Sequence, residues 1–101
     1  KFGVKPVEVV SFIERVAQLE RLRVRGLFTI GIFSPNPEDS RTCFRTLREL
    51  RERIEGLTIG GVSMDYLSMG MTDDFEVAVE EGSNMVRIGR GIFGPRPAEE
   101  R

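Results

Sequence analysis

Residues 24–33, VRGLFTIGIF, constrain this chain more than any other stretch, because after Arg25 they are nearly continuously apolar and rich in β-branched and aromatic side chains. A strand with one wet face alternates apolar and polar residues, so a run of this kind suits a strand buried on both faces, as in a parallel sheet. Parallel neighbours need crossover connections, usually helices. The flanking sequence supplies them.

Before the run, Pro6 sits well at a first helical position, where its missing N–H is not needed. Val9, Phe12, Ile13, Val16 and Leu19 recur at helical spacing, which predicts an amphipathic helix ending near Glu20. After it, Ser34-Pro35-Asn36-Pro37 is a turn, with Asn36 placed to cap a helix that has Glu38 and Asp39 in its first turn. Phe44, Leu47, Leu50 and Ile54 form that helix's apolar stripe, and Gly56 is expected to stop it. A strand arriving at Tyr66-Leu67-Ser68 follows. Thr72 then reads as the cap of a helix with Asp73 and Asp74 in its first turn, Phe75, Ala78 and Val79 on its buried face, and Gly82 as its stop. Residues 84–88, NMVRI, read as a short strand, and residues 92–94 as a last helical piece before a polar tail. Strands alternating with helices predict βαβ units in one α/β domain spanning residues 1–101.

Charge and composition narrow the chemistry. The 15 Lys and Arg nearly balance 16 Asp and Glu, a net charge of -1, which argues against non-specific nucleic-acid binding. There is no His and Cys43 is the only cysteine, so a disulfide framework or a Cys/His zinc site within one chain is excluded, as is an imidazole base. No stretch approaches the about 20 apolar residues of a membrane span. The chain begins with Lys1, and no charged-then-apolar leader precedes the first helix, so the expectation is a cytoplasmic domain whose residue 1 is not a translation start.

Function in parallel α/β folds collects at the C-terminal ends of strands. Three segments qualify, residues 34–36, 68–74 and 87–94; in the last two a strand passes through small residues into a helix N-terminus, the physical recipe for a phosphate site. Gly89-x-Gly91-x-x-Gly94 matches the dinucleotide pattern, yet the full helix, second strand and acidic residue that such a site requires do not follow before Arg101. Arg87 lies between Val86 and Ile88, and a buried guanidinium needs a partner. Two readings stand for it: a structural ion pair with Asp65, Asp73 or Asp74, or contact with a ligand. The arginines 41, 45, 48, 51 and 53 read as a solvated helix face with i,i+3 and i,i+4 pairs, in preference to a phosphate- or RNA-binding face. Asp73, Asp74 and Glu76 complement a helix dipole more readily than they make a metal site, Met64, Met69 and Met71 read as packing, and Cys43 as a small hydrophobe.

The segments LSMGMTDDFE (67–76), GSNMVRIG (82–89) and IFG (92–94) closely resemble the C-terminal signature of the pyridoxal-phosphate homeostasis proteins, the YggS/PROSC-like family. Their barrel is similar to the N-terminal domain of alanine racemase. Upstream, Lys1-Phe2-Gly3, RGLFTI (25–30) and FRTLREL (44–50) fit the same family.

The resemblance implies a (β/α)8 barrel of the fold-type-III kind, binding pyridoxal 5'-phosphate (PLP) at the ends of its strands. It implies that Arg87 faces the pyridine nitrogen and keeps it unprotonated, that the Thr72 hydroxyl reaches the phosphate, and that Gly89 and Arg90 contribute backbone N–H groups to it. Arg90 departs from the small hydroxyl residue usual at its position, which removes a hydroxyl contact and adds a charge. A TIM barrel needs at least about 200 residues, so the 101 here are expected to be the C-terminal half, without the Schiff-base lysine; neither Lys1 nor Lys5 matches that lysine's motif. Such a half is expected to be completed by its N-terminal counterpart or by self-association, since it would expose strand edges and an apolar face. The implied role is non-enzymatic cofactor homeostasis, with phosphate or sulfate as further ligands of this part of the site. The alternatives are part of a PLP-dependent racemase-like enzyme, or a half barrel without ligand affinity.

Overall fold

The structure, a computed structural model, describes residues 3–95; Lys1 and Phe2 of the family resemblance and most of the polar tail lie outside them. A single 3-10 turn at Pro6–Glu8 leads into α1 (Val9–Val16), then β1 (Val24–Phe28), α2 (Arg41–Leu57), β2 (Val62–Met71), α3 (Phe75–Glu80), β3 (Met85–Arg87) and α4 (Arg90–Phe93). The three strands form one sheet in the order β1-β2-β3, each pair parallel. The alternation of helix and strand read from the sequence is the observed one.

Two apolar clusters hold the helices on the sheet. Phe44 of α2 packs with Leu67 and Met69 of β2 and Val77 and Ala78 of α3, while Ile13 of α1 packs with Ile54 of α2 and Met64 of β2. Each large side chain buried this way contributes about 2 kcal/mol. Glycine permits two close approaches. At Gly26 a Cβ would lie 2.0 Å from the Tyr66 carbonyl oxygen, and at Gly70, with φ +107°, it would lie 2.8 Å from the Ala78 Cβ.

Leu67 and Met69 face the helices, so alternation turns Tyr66 and Ser68 to the opposite face. On that side Tyr66 is exposed and Ser68 is buried. Here the sequence expectation needs correcting: the strand over residues 24–33 ends at Phe28 and is not buried on both faces. Phe28 is 57% exposed, Ile30 59% and Ile32 50%, and Phe33 is fully exposed. The apolar run is buried only where α1 and α2 reach it. A groove of about 950 Å³ beside it is lined by Val4, Phe12, Phe28, Ile30, Phe33 and Leu50 among others.

Several helix ends differ from expectation. α1 stops at Val16 rather than Glu20, and turns through residues 17–22 carry the chain to β1. Asn36 does cap as expected, its side chain accepting from the Glu38 N–H at 3.1 Å, but the first turn is 3-10 and α2 proper begins at Arg41. Gly56 stays helical; Thr58, with φ +46°, takes the left-handed position that ends α2. α3 ends at Glu80, and Gly82, with φ +108°, makes the turn beyond it, where the Ser83 N–H reaches back to the Ala78 carbonyl.

The arginine face of α2 is not simply solvated. Arg41, Arg45 and Arg48, spaced to share one side of the helix, converge on Glu81 at 2.9, 3.3 and 3.0 Å. Glu81 is 4% exposed and is the one charged residue buried among those described. Arg41 also holds Glu38 and Glu80. Hydrogen bonds from Arg41 and then Arg45 keep the Glu81 carboxyl below the usual carboxylate range, against the opposing effect of burial. This clasp ties α3 to α2.

Candidate functional site

The loops after β2 and β3 meet. The Gly91 N–H donates to the Thr72 hydroxyl oxygen at 3.0 Å, and a Cβ on Gly91 would lie 3.1 Å from the Thr72 Cγ2, a tight approach that would push that methyl aside by a few tenths of an ångström. Thr72 is therefore not the helix cap the sequence predicted. Asp74 takes that position, and its carboxylate accepts from the Met71 N–H at 2.8 Å instead of from the helix. With its oxygen engaged as an acceptor, the Thr72 hydroxyl retains a proton to donate.

Gly89 precedes α4, and its carbonyl accepts from the Ile92 and Phe93 N–H groups. The N–H groups that open a helix have no intrahelical partner. The space where a Gly89 Cβ would stand is open. Arg90 begins α4 and bonds the Asp73 carboxylate at 2.5 Å, which raises the pKa of its guanidinium. Both side chains are more than half exposed, so this pair contributes little to stability. Thr72, Gly89 and Arg90 thus stand on two adjoining loops at one end of the sheet.

Arg87 ends β3 and reaches across to the end of β1. Its Nη2 donates to the Thr29 carbonyl at 3.1 Å, and its guanidinium lies 4.2 Å from the centre of the Phe28 ring. Its Nε is buried without a hydrogen-bond partner. The carboxylate partners expected for it are all engaged elsewhere: Asp65 with Arg25, Asp73 with Arg90, and Asp74 with the Met71 amide. The structural ion pair considered for Arg87 does not form among the described residues. A buried donor left unpaired costs about 1–3 kcal/mol, so an unpaired group at a strand end calls for a physical reason.

Sequence reasoning missed Phe28 and Thr29 as neighbours of Arg87, because nothing in local spacing links residues so far apart, 58 positions in the case of Thr29. It also missed the stitching after α3. The Asn84 side chain accepts from the Leu67 N–H and donates to the Asp65 carbonyl, both at 2.8 Å, while the Ser83 hydroxyl bonds the Met69 carbonyl at 2.7 Å. These contacts aim β3, and hence Arg87. Cys43 is half-buried, with Sγ 3.8 Å from the Thr29 hydroxyl. No group of three or more His, Cys, Asp or Glu side chains gathers as a metal site among the described residues. No helix there is long and apolar enough to cross a membrane.

The family model for the alanine racemase N-terminal domain matches residues 1–97. The chain belongs to this family. Within it, a pyridoxal phosphate homeostasis protein of Aquifex aeolicus is 46% identical over 96 residues, covering 95% of this chain and 41% of the relative. The protein of the same name from Escherichia coli is 42% identical over 96 residues, covering 95% of this chain and 40% of the relative. The chain therefore spans about two-fifths of the length of these relatives. Among solved structures, an unknown protein from Bifidobacterium adolescentis superposes with a TM-score of 0.86 at 35% identity, over 92% of this chain and 37% of its own. PipY of Synechococcus elongatus with PLP bound superposes at 0.79 and 26% identity, over 91% of this chain and 43% of its own.

Proposed function

We propose that this chain binds pyridoxal 5'-phosphate at the ends of β2 and β3 and serves cofactor homeostasis rather than catalysis. The observation that carries this reading is Arg87: a guanidinium at a strand end, without a carboxylate partner and with a buried, unpaired Nε. An ion pair buried for structure alone would have satisfied that group. The relatives named for PLP homeostasis and the PLP-bound PipY structure support the same ligand.

In this reading the Thr72 hydroxyl and the backbone N–H groups of Gly89 and Arg90 hold the phosphate, and the open space at Gly89 admits it closely. Arg87 faces the pyridine nitrogen. A fixed cation there disfavours protonation of the nitrogen and leaves the ring a weak electron sink. When bound, PLP supplies a reactive aldehyde, which a homeostasis protein stores and surrenders.

The three-stranded sheet is read as the C-terminal half of a (β/α)8 barrel, with residues 1–101 acting as one unit. Its open face and the free edge of β1 are covered by an N-terminal half or by a second copy, which the exposed Phe28, Ile32 and Phe33 favour. The lysine that anchors the cofactor belongs to that other half; Lys5 stands exposed before α1. A cytoplasmic location and the absence of nucleic-acid or membrane partners belong to the same proposal.

Absorbance titration with PLP, before and after borohydride, tests it. PLP bound without a reducible adduct, and displaced by inorganic phosphate, is the expected result. A borohydride-trapped adduct on this chain would overturn the missing-anchor reading. No binding would leave a half barrel without ligand affinity.

A further inference from the structure

Arg87 owes its position to a residue with no polar group. Phe28 closes β1 and is 57% exposed, and the Arg87 guanidinium lies 4.2 Å from the centre of its ring. One N–H goes to the Thr29 carbonyl, on the residue after Phe28. A guanidinium is planar and carries five N–H donors in that plane. An aromatic face attracts the cation without consuming any of them. Ring and carbonyl together fix both the plane of the guanidinium and its rotation within that plane. A carboxylate in place of the ring would have taken two donors and neutralised the charge.

We propose that Phe28 is a positioning residue: its ring holds the Arg87 guanidinium as a charged, donor-rich plate toward the pyridine nitrogen. This rests on the proposed binding of PLP and adds to it a determinant on a different strand. An aliphatic side chain at position 28 would keep the apolar surface and lose the attraction. Arg87 would then sample other rotamers, and its charge would no longer stand at one place beside the ring.

The test uses Phe28→Leu, Phe28→Tyr and Arg87→Leu in the full chain. The probe is 4'-deoxypyridoxine 5'-phosphate, which lacks the aldehyde and so needs no lysine. Without ligand, the NMR signal of the Arg87 Nε–H reports the shielding of the neighbouring ring. With the probe, the pH dependence of its ultraviolet spectrum reports protonation of the pyridine nitrogen. Phe28→Leu is expected to remove the ring-induced displacement of the Nε–H signal. It should weaken probe binding about two- to fivefold and return the nitrogen's titration toward that of free probe. Phe28→Tyr should restore all three, which loss of a merely structural contact would not predict. An unchanged Nε–H signal and titration in Phe28→Leu, with a changed titration in Arg87→Leu, would overturn the role of Phe28 alone. An unchanged titration in Arg87→Leu, or no binding by the unmodified chain, would overturn the underlying placement of the ring and this proposal with it.

Discussion

The Glu81 carboxylate accepts from Arg41 Nη1 at 2.9 Å, joining two residues 40 positions apart across the seam between α2 and α3. Arg45 and Arg48 complete the clasp. Glu81 stands directly after the helix that separates the two site loops, so it ties the placement of Thr72 and of β3 to the frame of α2. Arg41 and Arg45 depress its carboxyl pKa, so the native state favours the ionised form more than the unfolded chain does. The stability this supplies is present above the ordinary carboxylate range and is lost as pH falls through the depressed native value.

Glu81→Gln is therefore expected to lower the thermal midpoint by about 5–10 °C at neutral pH, since it leaves three arginines without their shared anion. It should also flatten the loss of stability as the pH falls through and below the ordinary carboxylate range. Circular-dichroism melts across that range check both. An unchanged midpoint at pH 7 would show the clasp to be incidental.

Gly70→Ala should destabilise the fold by about 2 kcal/mol or more. The new Cβ meets Ala78 at 2.8 Å, and the backbone stands at φ +107° where side chains are strained. Urea unfolding measures the change, and Ala78→Gly in the same chain should recover part of it by vacating the contact.

Thr72→Ala removes the acceptor of the Gly91 N–H and the hydroxyl proposed to reach the phosphate. Inorganic phosphate is expected to bind about tenfold more weakly, and Thr72→Ser to bind as the parent does. Isothermal titration distinguishes them. Equal affinity of the Ala and Ser variants would remove Thr72 from the site.

The uncovered face predicts self-association of the isolated chain at micromolar concentration. Ile32→Asp with Phe33→Asp, both at exposed positions, should shift sedimentation toward monomer while leaving the secondary structure unchanged. A parent chain that sediments as a stable monomer would refute the need for cover.

The succession of helices and strands was legible in the sequence because each rests on local physics: 3.6-residue periodicity, the Asn36 cap, the apolar run. The two loops at the strand ends, residues 68–74 and 87–94, were legible for the same reason, although Thr72 does not cap the helix as expected; that they hold a phosphate is the proposal. Helix ends were read less well. Gly56 is a strong local stop, but α2 continues through it to Leu57 and turns at Thr58.

Side-chain partners of charged residues were decided by tertiary structure alone. Of the two readings of Arg87, the carboxylate pair does not form and the guanidinium lies over the Phe28 ring, because Asp65, Asp73 and Asp74 are already held by other groups. Glu81 looked like one acidic residue among many until α3 carried it against three arginines of α2. Residues 24–33 carry enough apolar character for burial on both faces, yet the described residues cover one. Sequence determines which surfaces must leave water, since that follows from composition and period. Which surface meets which depends on where the sheet sets segments tens of residues apart, and only the assembled sheet records it.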